Sequence, residues 1–206
     1  MSSVVPFTVL VPVKPPRVGK SRLGDLPDER RVALAEAFAL DTIRAARSAE
    51  LAAEVMVVTD DAGFARTAGE AGCAVLPDGV SDDLNGTLVQ AALECWRRWP
   101  SYGVAALCAD LPALRPEDLD AALASVPGTG AAFAVDAPGT GTTMYAARAA
   151  ADFDPRFGVG SAMAHTEAGA FAVAGELASL RQDVDQAGDL GRAMVLGVGT
   201  HTARAL

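Results

Sequence analysis

The constraint that does most to limit this chain is a repeated change of period. Over residues 1–126, apolar runs of β type alternate four times with stretches whose apolar residues recur at helical spacing. Val4 to Val13, Glu54 to Asp60, Cys73 to Leu76 and Val104 to Ala109 are the β-type runs. Pro27 to Ser48, Ala62 to Ala71, Asn85 to Trp99 and Pro116 to Val126 are the helical ones. Strands that are apolar throughout and separated by helices pair in parallel and are covered on both faces. The expected class is therefore α/β, with a mostly parallel twisted sheet covered by helices. In such sheets ligands bind beyond the carboxyl ends of the strands. Lys14, Asp60, Asp61 and Asp110 each follow a strand and so become candidates.

Beyond residue 127 the texture turns to Pro, Gly and Ala. Short strands are expected at Ala131 to Val135, Thr143 to Ala147 and Phe171 to Ala174. Short helices are expected at Ser161 to Ala168 and Asp189 to Met194, and the tail after Gly197 is expected to fray. The sequence has no internal repeat and no linker long enough to divide it. A 206-residue chain that is 50% hydrophobic fits one domain with a full core.

Charge and cysteine usage exclude several classes. A net charge of −9 argues against general nucleic-acid or anionic-membrane binding. The first residues, MSSVVPFTVLVPVK, lack a basic region before the apolar run, which Pro6 and Pro12 interrupt. Neither a signal peptide nor a membrane span is expected there, and the expected location is cytoplasmic. Cys73, Cys95 and Cys108 form no CxxC pair, so reduced thiols are expected rather than a zinc site or disulfides. Two histidines, His165 and His201, are too few for a histidine metal centre. His165 lies one helical turn past Ser161 and has two open readings, a group facing a ligand or a structural histidine. Trp96 and Trp99 are expected to be core rather than interface.

The stretch VPVKPPRVGKSRL contains Gly19-Lys20-Ser21, the end of a P-loop signature. The glycine that opens a P-loop would fall at Lys14, and Pro15 and Pro16 remove backbone donors that must ring the phosphates. A P-loop kinase is thereby set aside. What remains is a loop carrying Lys14, Arg17, Lys20 and Arg22 directly after a strand. Cations there suit phosphate, although such a run is also common on a solvated surface.

A second candidate set is acidic. Asp110 follows a strand, and Asp183 and Asp185 sit at i and i+2 in QDVDQAGDL, a spacing that puts both on one side of an extended chain. One or two carboxylates near substrate phosphates are the usual way to hold Mg²⁺. Each aspartate alone reads as readily as a cap or surface acid; the combination carries the reading. A third set is GTGTT (Gly139 to Thr143) with FGVGS (Phe157 to Ser161). Glycines admit close backbone approach, hydroxyls and N–H groups can form an anion nest, and Ser161 stands where it could cap a helix. Two ordinary turns are the alternative.

Taken in order, VPVK…KSRL, ADLPAL, LNGTL, GTGTT, FGVGS and DVDQAGDL resemble the 2-phospho-L-lactate guanylyltransferases of coenzyme F420 biosynthesis and their phosphoenolpyruvate-using relatives. The resemblance runs from Val9 to about Leu190. It implies a nucleotidyltransferase of the sugar-nucleotide or molybdopterin-guanylyltransferase-like Rossmann-type fold. The substrates implied are GTP and a small phosphorylated three-carbon acid, with release of pyrophosphate. Residues 1–126 would be the nucleotide-binding half, and 127–197 would bind the acceptor and complete the metal site. For such a transfer Lys14, Lys20 and Arg22 are the expected catalytic residues, offsetting charge that builds on the departing pyrophosphate, and the remaining roles follow from the resemblance. Lys14, Lys20, Leu84, Asn85 and Gly86 meet the nucleotide. Thr143, Gly158 and Ser161 meet the acceptor, and Asp110, Asp183 and Asp185 hold Mg²⁺. A downstream F420 side-chain transferase is the implied partner, and oligomeric state is left open. The chain departs from the pattern at SDDLNGTL, which lacks a plainer GLN-type opening, and in having Gln186 and Gly188 within DVDQAGDL.

The chemistry fits the composition. A phosphate monoester is already anionic near neutral pH, so attack on the α-phosphorus of GTP needs no strong base. Charge neutralisation and alignment are what the chain must supply. A transferase of the same fold acting on a sugar phosphate or molybdopterin would be expected to open with a glycine-rich loop, absent from VPVKPPRVGK. A non-catalytic sensor of a nucleotide or phosphometabolite would need the pocket but not the acids.

Overall fold

The computed structural model describes residues 5–14, 27–79 and 83–206. Among them one seven-stranded sheet runs through the whole chain in the order β3-β2-β1-β4-β6-β5-β7. The strands are β1 (Phe7–Pro12), β2 (Ala52–Val58), β3 (Ala74–Leu76), β4 (Gly103–Leu107), β5 (Ala131–Val135), β6 (Thr142–Ala147) and β7 (Phe171–Ala172). β1 pairs in parallel with β2 and with β4, so the chain reverses direction across the sheet at the β1–β4 boundary. That reversal opens a crevice beyond the carboxyl ends of these strands. β6 is antiparallel to both β4 and β5, which makes the sheet mixed. The connection between β5 and β6 is only a hairpin loop, and a hairpin can join only antiparallel strands.

Helices α1 (Asp28–Ser48), α2 (Ala62–Glu70) and α4 (Pro116–Ala124) cover one face, while α3 (Leu84–Arg98) and α5 (Ser161–Glu167) cover the other. Alternation along the strands feeds both cores. Val9, Val11, Ala105 and Leu107 pack with Ile43, Phe64 and Leu119 on the first face. Leu10, Val104, Ala106 and Tyr145 pack with Leu88, Ala91 and Cys95 on the second. Trp96 and Trp99 pack partly buried against the second core, Trp96 edge-on to Phe153. No disulfide joins the three cysteines, and burial pushes the Cys95 thiol up to about 12.

Among the described residues three short elements were not anticipated, a 3₁₀ turn at Ala150–Asp152, α6 (Ala178–Arg181) and α8 (Thr200–Ala205); α7 (Ala187–Leu196) matches its expectation with longer ends. The tail does not fray. Buried Asp41 of α1 accepts from the N–H groups of His201 (3.0 Å) and Thr202 (2.7 Å), serving the free donors at the start of α8. Gly199 N–H donates to Pro112 C=O (2.8 Å), and Thr202 is fully buried. A Cβ on Gly199 would lie 2.3 Å from Asp41 Oδ1. Gly199→Ala is therefore expected to push Asp41 off its two amides and cost about 1–3 kcal/mol, read as a lower urea midpoint at unchanged slope. An unchanged midpoint would show that α8 is not held through this carboxylate.

Candidate active site

Lys14 stands two residues beyond β1, exposed, where Val13 N–H still donates to Val58 C=O (2.8 Å). Pro12, Val13, Lys14, Val58, Asp78, Asp83 and Leu84 line a small cleft there. The expected nucleotide residues Lys14 and Leu84 thus share one concave surface. Lys20 and Arg22, and Arg17 with them, lie outside the described residues.

The first turn of α3 has its own local logic. Asp83 caps it, accepting at Oδ1 from Gly86 N–H (3.0 Å), and a Cβ on Gly86 would come 2.4 Å from Asp83 Oδ2. Gly86 is thus required by the cap. Asp60 and Asp61 are likewise structural. Asp60 accepts from Asp78 N–H (2.9 Å), and Asp61 caps α2 through Phe64 N–H (2.9 Å).

Asn85, expected at the nucleotide, is engaged elsewhere. Its amide donates to Phe157 C=O (3.0 Å) and accepts from Phe157 N–H (2.8 Å). A residue of the amino-terminal half thereby holds the glycine loop of the carboxyl-terminal half.

Asp110 follows β4 and is bracketed by the buried hydroxyl of Thr42 on α1. Thr42 Oγ1 accepts from Leu111 N–H (3.0 Å), while its own hydrogen faces Phe38 C=O (2.8 Å) and Ala109 C=O (3.3 Å). Across from it, Val184 N–H donates to Asp110 C=O (3.0 Å). Residues 73 positions apart in sequence, Asp110 and Asp183, therefore flank one main-chain hydrogen bond. Val184 is fully buried between them in a cluster with Phe38 and Ala113. Asp183 is half-buried and Asp185 exposed. Asp185 and Gln186 both donate backbone N–H to Asp189 Oδ2 (3.1 and 2.8 Å), in a capping box at the start of α7. The expected trio does not gather as one ready cluster: among the described residues no group of three or more His, Cys, Asp or Glu side chains is assembled for a metal. A pair, Asp110 with Asp183, is what the main chain juxtaposes.

The residues expected to meet the acceptor are tied to the same edge. Cys108 N–H donates to Thr143 C=O (2.8 Å), which ties Thr143 to the segment that leads from β4 to Asp110. Ala162 N–H donates to Thr140 C=O (3.2 Å), joining GTGTT to the start of α5. Thr143 is fully buried, and among the described residues its hydroxyl has no hydrogen-bond partner. Ser161 is buried and Gly158 exposed. Ser161 does not cap α5 as expected. Gly160, at φ 72°, holds the cap position and Ser161 opens the helix. Gly158, at φ 137°, adopts a backbone conformation that side chains oppose.

His165 settles as a structural group. It is fully buried, stacked on Tyr145 (centroids 4.6 Å) and flanked by Phe133 and Phe157. Arg156 N–H donates to its Nε2 (2.8 Å), so Nδ1 carries the hydrogen and donates to Thr142 Oγ1 (3.0 Å). Thr142 reaches that side because β6 bulges: Ala134 faces Met144 while Val135 faces Thr142, leaving an extra residue in between. Burial, and then the Arg156 guanidinium, hold the imidazole down to about 4, against a smaller upward pull from Asp154. The unfolded chain binds this proton near its ordinary 6.5, so between about 6.5 and 4 the unfolded state holds more protons. Stability is expected to be full above pH 6.5 and to fall as the pH approaches 4. Urea midpoints at pH 7.5 and 4.5 check this, and the drop should shrink in His165→Gln.

No helix among the described residues is long and apolar enough to cross a membrane. The family model described as "Guanylyl transferase CofC like" matches residues 7–206. A phosphoenolpyruvate guanylyltransferase of Salinispora arenicola (strain CNS-205) is 46% identical over 200 residues, covering 96% of this chain and 92% of that protein. The protein of the same name from Thermomonospora curvata is 44% identical over 198 residues, covering 96% and 87%. Among solved structures, a nucleotidyl transferase from Methanothermobacter thermautotroptrophicus superposes with a TM-score of 0.64 at 17% identity, covering 97% of this chain and 99% of that one. The last likeness establishes the nucleotidyltransferase fold; the length and identity of the others establish more, and this chain is a nucleotidyltransferase that belongs to the CofC-like guanylyl transferase family.

Proposed function

We propose that this enzyme transfers GMP from GTP to phosphoenolpyruvate and releases pyrophosphate, as a step in coenzyme F420 biosynthesis in the cytoplasm. The observation that carries the reading is the pair of main-chain bonds Cys108 N–H to Thr143 C=O and Val184 N–H to Asp110 C=O. They join the segments that carry Thr143, Asp110 and Asp183 near the end of β4, the strand beside β1 and Lys14, which supports this reading. The names of relatives above 40% identity supply the acceptor.

In the proposed reaction an acceptor phosphate oxygen forms a bond to the α-phosphorus, and the bond from that phosphorus to the β-bridging oxygen breaks. No proton need be removed, in keeping with a site whose histidine is buried and neutral. Lys14 offsets charge on the departing pyrophosphate. Thr143, Gly158 and Ser161 hold the acceptor in line, the Thr143 hydroxyl being a buried group that a ligand oxygen would satisfy. The Asp110 and Asp183 pair fits Mg²⁺, which is held by one or two carboxylates with substrate phosphates completing its shell. When bound, that ion would neutralise phosphate charge. Exposed Asp185, its amide in the capping box, would serve the site from its margin. Residues 1–126 would bind the nucleotide, and 127–197 the acceptor.

Pyrophosphate release with GTP and Mg²⁺ tests this, with phosphoenolpyruvate, 2-phospho-L-lactate and 3-phosphoglycerate supplied in parallel and enzyme near substrate concentration. Release is expected with phosphoenolpyruvate. Release with another acceptor alone, or with none, overturns the assignment.

A further inference from the structure

The loop Asp154 to Gly160 carries no secondary structure of its own, yet two of its consecutive amides are held from two different helices. His165 of α5 receives Arg156 N–H at Nε2 (2.8 Å), and its other nitrogen is anchored on Thr142 of β6 (3.0 Å). Asn85 of α3 brackets Phe157 through both backbone groups, at 3.0 and 2.8 Å. The next residue is Gly158, whose φ of 137° is a conformation that a side chain would oppose. Neither partner is spare surface chemistry. The imidazole is fully buried in an aromatic box of Phe133, Tyr145 and Phe157, and the asparagine adjoins Leu84, which lines the Lys14 cleft.

We propose that His165 and Asn85 are positioning residues for the acceptor: together they clamp Arg156 and Phe157 so that Gly158 to Ser161 present one geometry to it. This rests on the reading that Gly158 and Ser161 meet the acceptor. The two clamps are of different kinds. His165 works within the acceptor half, through β6 and α5. Asn85 crosses from the first turn of α3, so acceptor geometry is set partly by the helix whose start borders the nucleotide cleft. Loss of either leaves a loop amide to find water, and the loop then samples conformations that must be recovered on binding. The cost should fall on the acceptor and spare GTP. The charged and titratable groups facing His165 are Arg156 and Asp154 on the loop and Tyr145 on β6.

The experiment pairs two readouts on the full-length enzyme. One is peptide-level hydrogen exchange without substrates; the other is KM for phosphoenolpyruvate and for GTP. The variants are His165→Leu, His165→Gln, Asn85→Ala and Ser161→Ala. His165→Leu and Asn85→Ala are expected to speed exchange across residues 154–161 about tenfold, with β1 and β4 unchanged. They are expected to raise KM for phosphoenolpyruvate about tenfold, leaving KM for GTP within about twofold. His165→Gln keeps an acceptor for Arg156 N–H and should fall between Leu and wild type. Unchanged loop exchange in both variants overturns the proposal. So does a rise in both KM values with exchange spread through the domain, the mark of a merely structural role. If Ser161→Ala raises KM for phosphoenolpyruvate while the clamp variants do not, the clamp fails and the acceptor assignment stands. If none of the four moves that KM, the acceptor assignment fails and the proposal falls with it.

Discussion

Asp110→Ala is expected to lower acceptor-dependent pyrophosphate release by about a hundred- to a thousandfold, the usual loss when one preorganised electrostatic contact is removed from a transition state. The variant is informative because several contacts that shape the site are made by the main chain around residue 110. Val184 N–H binds the backbone carbonyl of residue 110, and Thr42 grips the peptide groups on either side, Ala109 C=O and Leu111 N–H. Alanine keeps all of these. The aspartate pair therefore loses a charge while the juxtaposition of residues 110 and 183 survives, so rate and architecture are separated. Near-wild-type circular dichroism with a rate lowered by at least a hundredfold is the expected result. A rate within about threefold of wild type would remove Asp110 from the chemistry.

Phe38→Ala is expected to produce the largest loss of stability, about 3–5 kcal/mol, as is usual for deleting a fully buried phenyl ring. Against a typical total of about 5–15 kcal/mol this is a large fraction. Phe38 lies where three segments remote in sequence meet: α1 through Leu34, the turn after β4 through Ala113, and the acidic stretch with α7 through Val184 and Ala193. No single neighbour can move in without giving up another contact, so the cavity should stay open. Urea denaturation measures the loss. Because Val184 loses a packing partner, the enzyme that remains folded should also turn over more slowly than wild type. A loss below about 1 kcal/mol would show that α1 and α7 close the gap.

Much of this was legible beforehand. The first eight elements follow from period and punctuation: Asp28 and Glu29 at the start of α1, Gly72 after α2, Pro100 after α3, Pro116 opening α4. Lys14 and Asp110 became candidates by position alone, because ligands in such sheets bind beyond the strand ends; Asp60 and Asp61 met the same criterion and instead hold a turn and cap α2. What escaped has a common cause. Four-residue α6 and six-residue α8 are too short to show a helical period, and α8 exists because Asp41, 160 positions away, caps it. The bulge in β6 leaves no mark on the residues TT, yet it turns Thr142 towards His165. Asn85 and Gly86 were expected at the nucleotide through the resemblance, which carries no information on their local bonds. In the fold one clamps Phe157 and the other makes room for Asp83.

The sequence by itself determined the layered class, the strand ends that bear charge and the ordered motifs of the family, since each depends on residues a few positions apart. The tertiary structure alone decided which of those charges meet. Hydrogen bonds between Val184 and Asp110, Cys108 and Thr143, and Asn85 and Phe157 join segments whose separations along the chain carry no periodic signal. Their pairing is settled by how the two cores fill and by which buried backbone groups must find partners.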